Sequence, residues 1–376
     1  MKAIINGRIY TVAQGIIENG TVLVDGSKII AVGTDVSIPA EAEIIDATGL
    51  SVFPGFIDAD SRAGIFEEGQ SSVGDDTNEP SRTINTELRT IDATWWKDVA
   101  FSDCRAEGVT SLAISPGTGS VICGQIAVLK ALDCVIDQAV VKEPAGLKIN
   151  LCGNRQERRD RSVDVSLFEA ELYKAKALQE KRVKGEALDF NLKLDPLVDL
   201  LDGKIPARMI AYANHDIMNA IELSEKWGFK LIIERCYEGH IVLDDIVASK
   251  AAVIAGPTYI NLSGIAKNLS VKMPGLLGKA GVKVALCTDH PTLPSENLFV
   301  QAALACREGL GEELAIKAIT LTAAELLGVD DHIGSLETGK DADIAIFSGH
   351  PFHITSHCLM TLINGEIVHD ARKGEC

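Results

Sequence analysis

No apolar run in the 376-residue chain reaches the ~18 residues needed to cross a bilayer, so no transmembrane helix is expected. Paired cysteines are missing too. Nine cysteines are scattered singly, with no C-x-x-C; that odd count and loose spacing point to reduced thiols in a cytosolic protein. Positive charge is scarce: 36 Lys and Arg stand against 53 Asp and Glu, a net charge of −17. An acidic excess of this size argues against nucleic acid or an anionic membrane as a partner. The first residues are broken by Asn6, Gly7, Arg8 and Thr11 and hold no apolar h-region. No signal peptide is expected, and the cytoplasm is the expected location. There is no internal repeat and no low-complexity segment.

What is present is a composition 46% hydrophobic, on a chain long enough for one barrel plus a small appendage. Residues 1 to about 52 read as short strands, with Asp25-Gly26 as a hairpin signal between two of them. From about 54 to 330 the period changes. Apolar runs at 110–115, 147–152, 207–212, 230–234, 252–256 and 283–288 alternate with amphipathic stretches such as 216–227 and 297–308. Continuous apolar strands separated by helices predict parallel βα units buried on both faces. Residues 334–370 return to short strands. The expected architecture is a (β/α)₈ barrel over 54–333, with 1–53 and 334–376 combining into one β-sandwich. The polar segment 70–91 predicts a long loop after the first barrel strand.

The segment PGFIDADSR at 54–62 is an apolar strand that delivers polar side chains at its C-terminal end, where barrel enzymes place their chemistry. It resembles the first barrel strand of the amidohydrolase superfamily, PGFIDAHSH. Further stretches are similar to the imidazolonepropionase-like group of that superfamily: LGVDDHIGSLETGKDADI at 327–344, Asp76-Thr77-Asn78-Glu79, Gly124-Gln125, Glu238-Gly239-His240 and Thr288-Asp289-His290-Pro291. The resemblance implies the barrel-plus-sandwich fold. It also implies hydrolysis of non-peptide C–N bonds, in an amide or cyclic amide, at a site holding zinc or another divalent metal.

Carried over position by position, the resemblance puts unusual residues at the metal-ligand positions. The two histidines of the first strand fall on Asp60 and Arg62. A fourth-strand acidic ligand falls on Gly153, the fifth-strand histidine on Tyr212 and the sixth-strand histidine on Arg235. The eighth-strand aspartate remains as Asp289. Guanidinium groups are cationic and cannot coordinate a metal, so no metal cofactor is expected. Arg62 or Arg235 is expected to bond Asp289 or Asp60 through charge-assisted contacts.

Three readings stand side by side. In a metal-free hydrolase, Asp289 would be the catalytic base and Arg62 or Arg235 would stabilise the oxyanion. In a catalytically inactive relative, the mouth would bind a small anion or serve a structural role. In a relocated metal site, the ligands would come from Asp60, His215, His240 and His290. His240 and His290 are candidates for ligand contact at the barrel mouth, and His215 for a helix N-terminus. Cys236 and Cys287 flank site positions. The glycine-rich run 117–125 lacks the Lys-Ser/Thr of a P-loop and predicts a tight barrel loop. The basic run 155–161 predicts a solvated loop or a salt-bridge network. His350, His353 and His357 predict surface scatter. A small-molecule ligand or substrate is the expected partner, and a homo-oligomer is compatible with the sequence.

Overall fold

The computed structural model describes residues 1–153, 160–186, 189–262 and 264–373. Five strands open the chain: β1 (Lys2–Tyr10), β2 (Ile16–Asp25), β3 (Lys28–Gly33), β4 (Glu43–Asp46) and β5 (Ser51–Pro54). Eight follow in a second sheet: β6 (Phe56–Ser61), β7 (Val109–Ile114), β8 (Ile122–Lys130), β9 (Val140–Asn150), β10 (Ala207–Ala211), β11 (Leu231–Arg235), β12 (Ala252–Ala255) and β13 (Val284–Leu286). The chain closes with β14 (Ile344–Phe347), β15 (Cys358–Ile363) and β16 (Glu366–Asp370).

The two chain ends share one sheet, in the order β16-β15-β14-β5-β1-β2-β3, with β4 beside β1. The join is antiparallel, with Ile344 opposite Pro54 and Phe347 opposite Ser51. Its inner face packs Ile4, Val22, Ile29, Val52, Ile344 and Leu362 into a core of its own. Aromatic side chains tie this sheet to the barrel: Phe56 of β6 stacks on Phe347 at 5.4 Å and meets Phe53 edge-on at 6.2 Å. Lys130, 5% exposed at the end of β8, reaches Asp341 at 2.6 Å and Asp343 at 3.2 Å.

Strands β6 to β13 run in sequence order round the barrel. Closure comes between β13 and β6, where the Asp289 amide donates to the Asp60 carbonyl at 3.0 Å. Ile210, Ala211, Ile232, Ile233, Val284 and Leu286 are all buried, as strands covered on both faces require. One strand departs from the expected pattern. β8 lies antiparallel to both β7 and β9. The run 117–125 is therefore a loop only as far as Val121 and continues as strand from Ile122. Its Gly124 has φ +139, and a Cβ there would sit 3.0 Å from the Leu88 carbonyl. That glycine marks the close passage of the 70–91 loop rather than a turn. The loop itself bridges to β8 through Ile84–Ile122 and Arg89–Gln125.

Helix Asn214–Trp227 starts where Asp216 accepts from the Ala213 amide at 3.0 Å and ends at Gly228 in the left-handed region. Among the described residues, no helix is long and apolar enough to cross a membrane.

Candidate functional site

The site begins with an irregularity in β6. Asp58 pairs with Leu112 and Ser61 with Ile114, so three steps on β6 match two on β7. This extra residue re-aims the side chains around it. Asp58 and Ser61 share the outer face, where both meet Ser295, at 2.8 and 3.0 Å. Asp60 turns into the barrel and meets side chains from the strands opposite.

There Asp60 is 1% exposed. Lys148 of β9 donates to both its oxygens at 3.0 and 3.2 Å, and to Ser115 at 2.8 Å. Arg235 Nη2, at the end of β11, lies 2.9 Å from Asp60 Oδ2. Arg208 of β10 donates to the Ala59 carbonyl at 2.7 Å and to Asp60 at 3.4 Å. Glu234 completes this layer, 2.5 Å from Arg208 Nε and 3.2 Å from Lys148 Nζ. Burial alone would favour the neutral acid at Asp60. Lys148, Arg235 and Arg208 overcome it and hold the carboxyl well below the usual carboxylate range.

Above this layer, Asp289 Oδ1 is shared by two guanidinium groups. Arg235 Nη2 lies at 2.6 Å, and Arg62 Nη2 bonds the same oxygen and also the Asp289 carbonyl at 3.3 Å. Asp289 Oδ2 accepts from Thr292 at 3.1 Å. Burial opposes the charge of Arg235, but Asp289 and Asp60 outweigh it and raise its pKa further above the usual arginine value. Arg235 and Asp289 both have positive φ, 71° and 53°. Non-glycine residues there carry on the order of 1 kcal/mol of strain or more, which the surrounding contacts must offset. Four cations (Arg62, Lys148, Arg208, Arg235) thus meet three carboxylates (Asp60, Glu234, Asp289), with one positive charge in excess. Arg62 is the outermost, its side chain 19% exposed.

Tyr212 roofs the cluster, its ring 5.3 Å from that of Tyr237. Burial raises its phenol to about 12, so it stays a neutral hydroxyl. His290 is fully buried, its Nδ1 accepting from the Ser295 amide at 3.4 Å. Burial pushes its pKa down to about 4, so the ring is neutral. His240 is exposed on the turn after β11. Gly153 lies beyond the end of β9, its amide donating to Asp164 at 3.0 Å. His215 sits exposed in the first turn of its helix, 3.3 Å from Asp216. Cys287 is 3.5 Å from Arg235 Nη1, yet burial raises its thiol well above the usual value, and burial puts Cys236 near 12. Neither is poised as a thiolate nucleophile. Of the basic run, residues 155–159 lie outside the described residues, and Arg161 pairs with Asp216 at 2.5 Å. His350 is not surface scatter: its ring packs 5.8 Å from Phe53 and 4.9 Å from Phe352.

Lys148, Arg208 and Glu234 were not singled out from the sequence. Each sits inside an apolar strand, and the signal was available there. A charged residue within a run expected to be covered on both faces must find a partner in the barrel. Beside the cluster, a cavity of about 960 Å³ opens at the mouth, walled by Asn150, Cys152, Tyr212, Glu238 and Lys267. Among the described residues, no group of three or more His, Cys, Asp or Glu is placed to hold a metal ion.

Comparison with known proteins gives the same lineage in several ways. The sequence model of the Amidohydrolase family matches residues 214–375. The crystal structure of an amidohydrolase from Thermotoga maritima is 34% identical, with a TM-score of 0.93 over 98% of this chain and 100% of that one. An imidazolonepropionase from Brucella anthropi is 26% identical over 91% of each chain. Amidohydrolase tasK from Hapsidospora irregularis is 22% identical over 92% of this chain, which spans 39% of that relative's length.

Proposed function

This chain belongs to the amidohydrolase family, and we propose that it is a member in which ion pairs stand where the family gathers a metal, so that the barrel mouth binds a small anionic molecule without metal-dependent hydrolysis. The observation that carries this reading is Asp289 Oδ1, held by both Arg62 and Arg235.

The donor set does not fit a divalent cation. Both Asp60 oxygens and Asp289 Oδ1 are taken by Lys148, Arg208, Arg235 and Arg62, and Asp289 Oδ2 accepts from Thr292. Two unit charges 4 Å apart interact by about 4 kcal/mol at an effective dielectric near 20, so a dication would meet about 8 kcal/mol of repulsion from each nearby guanidinium. At the positions where the resemblance implies imidazoles that would favour such an ion stand Asp60, Arg62, Tyr212 and Arg235.

A small carboxylate has the charge to match the excess positive charge, and the carbonyl edge of a cyclic amide can accept hydrogen bonds from the same donors. Arg62 offers a planar fork suited to such a group. The side chains of Asp289 and Arg62 keep 13% and 19% of their surface open, so a ligand can reach them. That same opening supports a second reading, metal-free opening of a cyclic amide, with Asp289 taking a proton from water and Arg62 holding the oxyanion. It requires a ligand to draw Arg62 off Asp289 first. Calorimetric titration with small mono- and dicarboxylates and cyclic amides tests both. Saturable binding weakened at least tenfold by Arg62→Leu, without turnover, supports the binding reading. Chelator-insensitive turnover supports the second. Absence of any binding that depends on Arg62 overturns both.

A further inference from the structure

On the face opposite the mouth, where β9 to β12 begin, a second cavity of about 420 Å³ lies between the strand starts and the end of helix Leu321–Leu327. Lys142, Lys204, Lys230 and Lys250 line it, beside Ser224 and Ser249, whose hydroxyls donate to the Ile221 and Ile246 carbonyls at 2.8 Å. Four lysines converge here in a chain of net charge −17.

Their counter-charges are unevenly supplied. Lys204 is matched by Asp199 at 2.7 Å and Asp202 at 3.2 Å. Glu325, on the cavity wall, is taken by Lys283 at 2.6 Å. Lys142 donates to the Gly328 carbonyl at 3.1 Å, a neutral partner at the helix C-terminus. Lys142, Lys230 and Lys250 form no ion pair among the described residues. Burial disfavours the charge on Lys142 and lowers its pKa; Asp330 only partly offsets this, and Lys230 adds repulsion. Like charges gathered round a concavity without a counter-ion raise the energy of the empty site, and an anion that enters lowers it. The volume lies in the range of small-molecule sites, and Pro206, Phe229 and Leu231 give the wall an apolar part.

We propose that this cavity is a binding site for a small multivalent anion, of the phosphate or polycarboxylate class, separate from the barrel mouth. Lys142 holds the inner end of the anion, and Lys230 and Lys250 its outer oxygens. The face concerned is the one that barrels ordinarily reserve for stability rather than chemistry, so the ligand is a regulator or stabiliser and not a substrate.

The test is calorimetric titration of the full chain with pyrophosphate, and separately with citrate, which distinguishes the two anion sources. Lys230→Gln and Lys250→Gln change exposed side chains and leave the fold intact. Each is expected to weaken binding about fivefold or more, and the pair more than twentyfold, while the distant Lys193→Gln leaves it unchanged. Titration in the Arg62→Leu background, where binding at the mouth is weakened, reads this site separately from the mouth. Affinity should fall as sodium chloride rises. Saturable binding of either anion with this variant pattern supports the site. No saturable binding at millimolar anion, or binding indifferent to Lys230 and Lys250, overturns it.

Discussion

Replacing Asp289 with Asn removes one carboxylate from between two guanidinium groups and changes almost nothing in shape. Breaking a buried ion pair from one side costs about 3–5 kcal/mol, because the remaining charge stays in low dielectric without its partner. Two features pull the cost to the lower end of that range. Arg235 keeps Asp60 at 2.9 Å, and Arg62 is 19% exposed and can turn towards water. A loss of about 3 kcal/mol follows. At roughly 2.1 cal/mol/K per residue, the 376-residue chain unfolds with an entropy of roughly 0.8 kcal/mol/K. The midpoint should therefore drop by about 4 °C. Scanning calorimetry of wild type and Asp289→Asn, each with and without chelator, reads it. The drop is expected to be the same in both conditions, and chelator alone should not move the wild type. Arg62→Leu combined with Asp289→Asn should cost less than the sum of the two, because each removes the same interaction. Additive losses, or a wild type destabilised by chelator as much as by the substitution, would refute the reasoning.

Other outcomes follow from the same contacts. Burial raises Asp58 to about 7, against hydrogen bonds from Thr288 and Ser295. An acid raised above its unfolded value of 3.8 gives stability at low pH that is lost as pH climbs through about 4 to 7. Asp58→Asn should flatten that fall relative to wild type in urea titrations from about pH 4 to 7, and an unchanged slope would contradict the assignment. Lys130→Ala strips the barrel-side partner from Asp343, which is 4% exposed, and should cost about 3–5 kcal/mol in equilibrium unfolding; a loss under ~1 kcal/mol would mean the contact is not what joins β8 to the small sheet. Gly55→Ala puts a Cβ 2.0 Å from Thr110 Oγ1 and should lower stability by about 1–3 kcal/mol or more, read as a lower midpoint.

Much of the fold was legible because strand and helix periods differ. The runs at 207–212 and 252–256 carry no polar alternation, and they are barrel strands covered on both sides. β8 was not legible. Its Gly124 serves a close loop crossing, and a strand reversed against its neighbours leaves no mark on periodicity. At the site, Asp60, Arg62, Arg235 and Asp289 stood at strand ends, where position alone made them candidates, and the structure brings them together. Lys148, Arg208 and Glu234 lie within strands, where the apolar surroundings hid them. Their partners come from strands distant in sequence, such as Lys148 and Asp60, 88 positions apart.

Elemental analysis of protein purified without chelator, and again after exposure to excess zinc and manganese followed by buffer exchange, bears most directly on the exchange of a metal for ion pairs. Transition metal well below one equivalent per chain is expected in both preparations, with Asp289→Asn no different from wild type. One equivalent of zinc, manganese or iron retained by the wild type and lost in Asp289→Asn would contradict it.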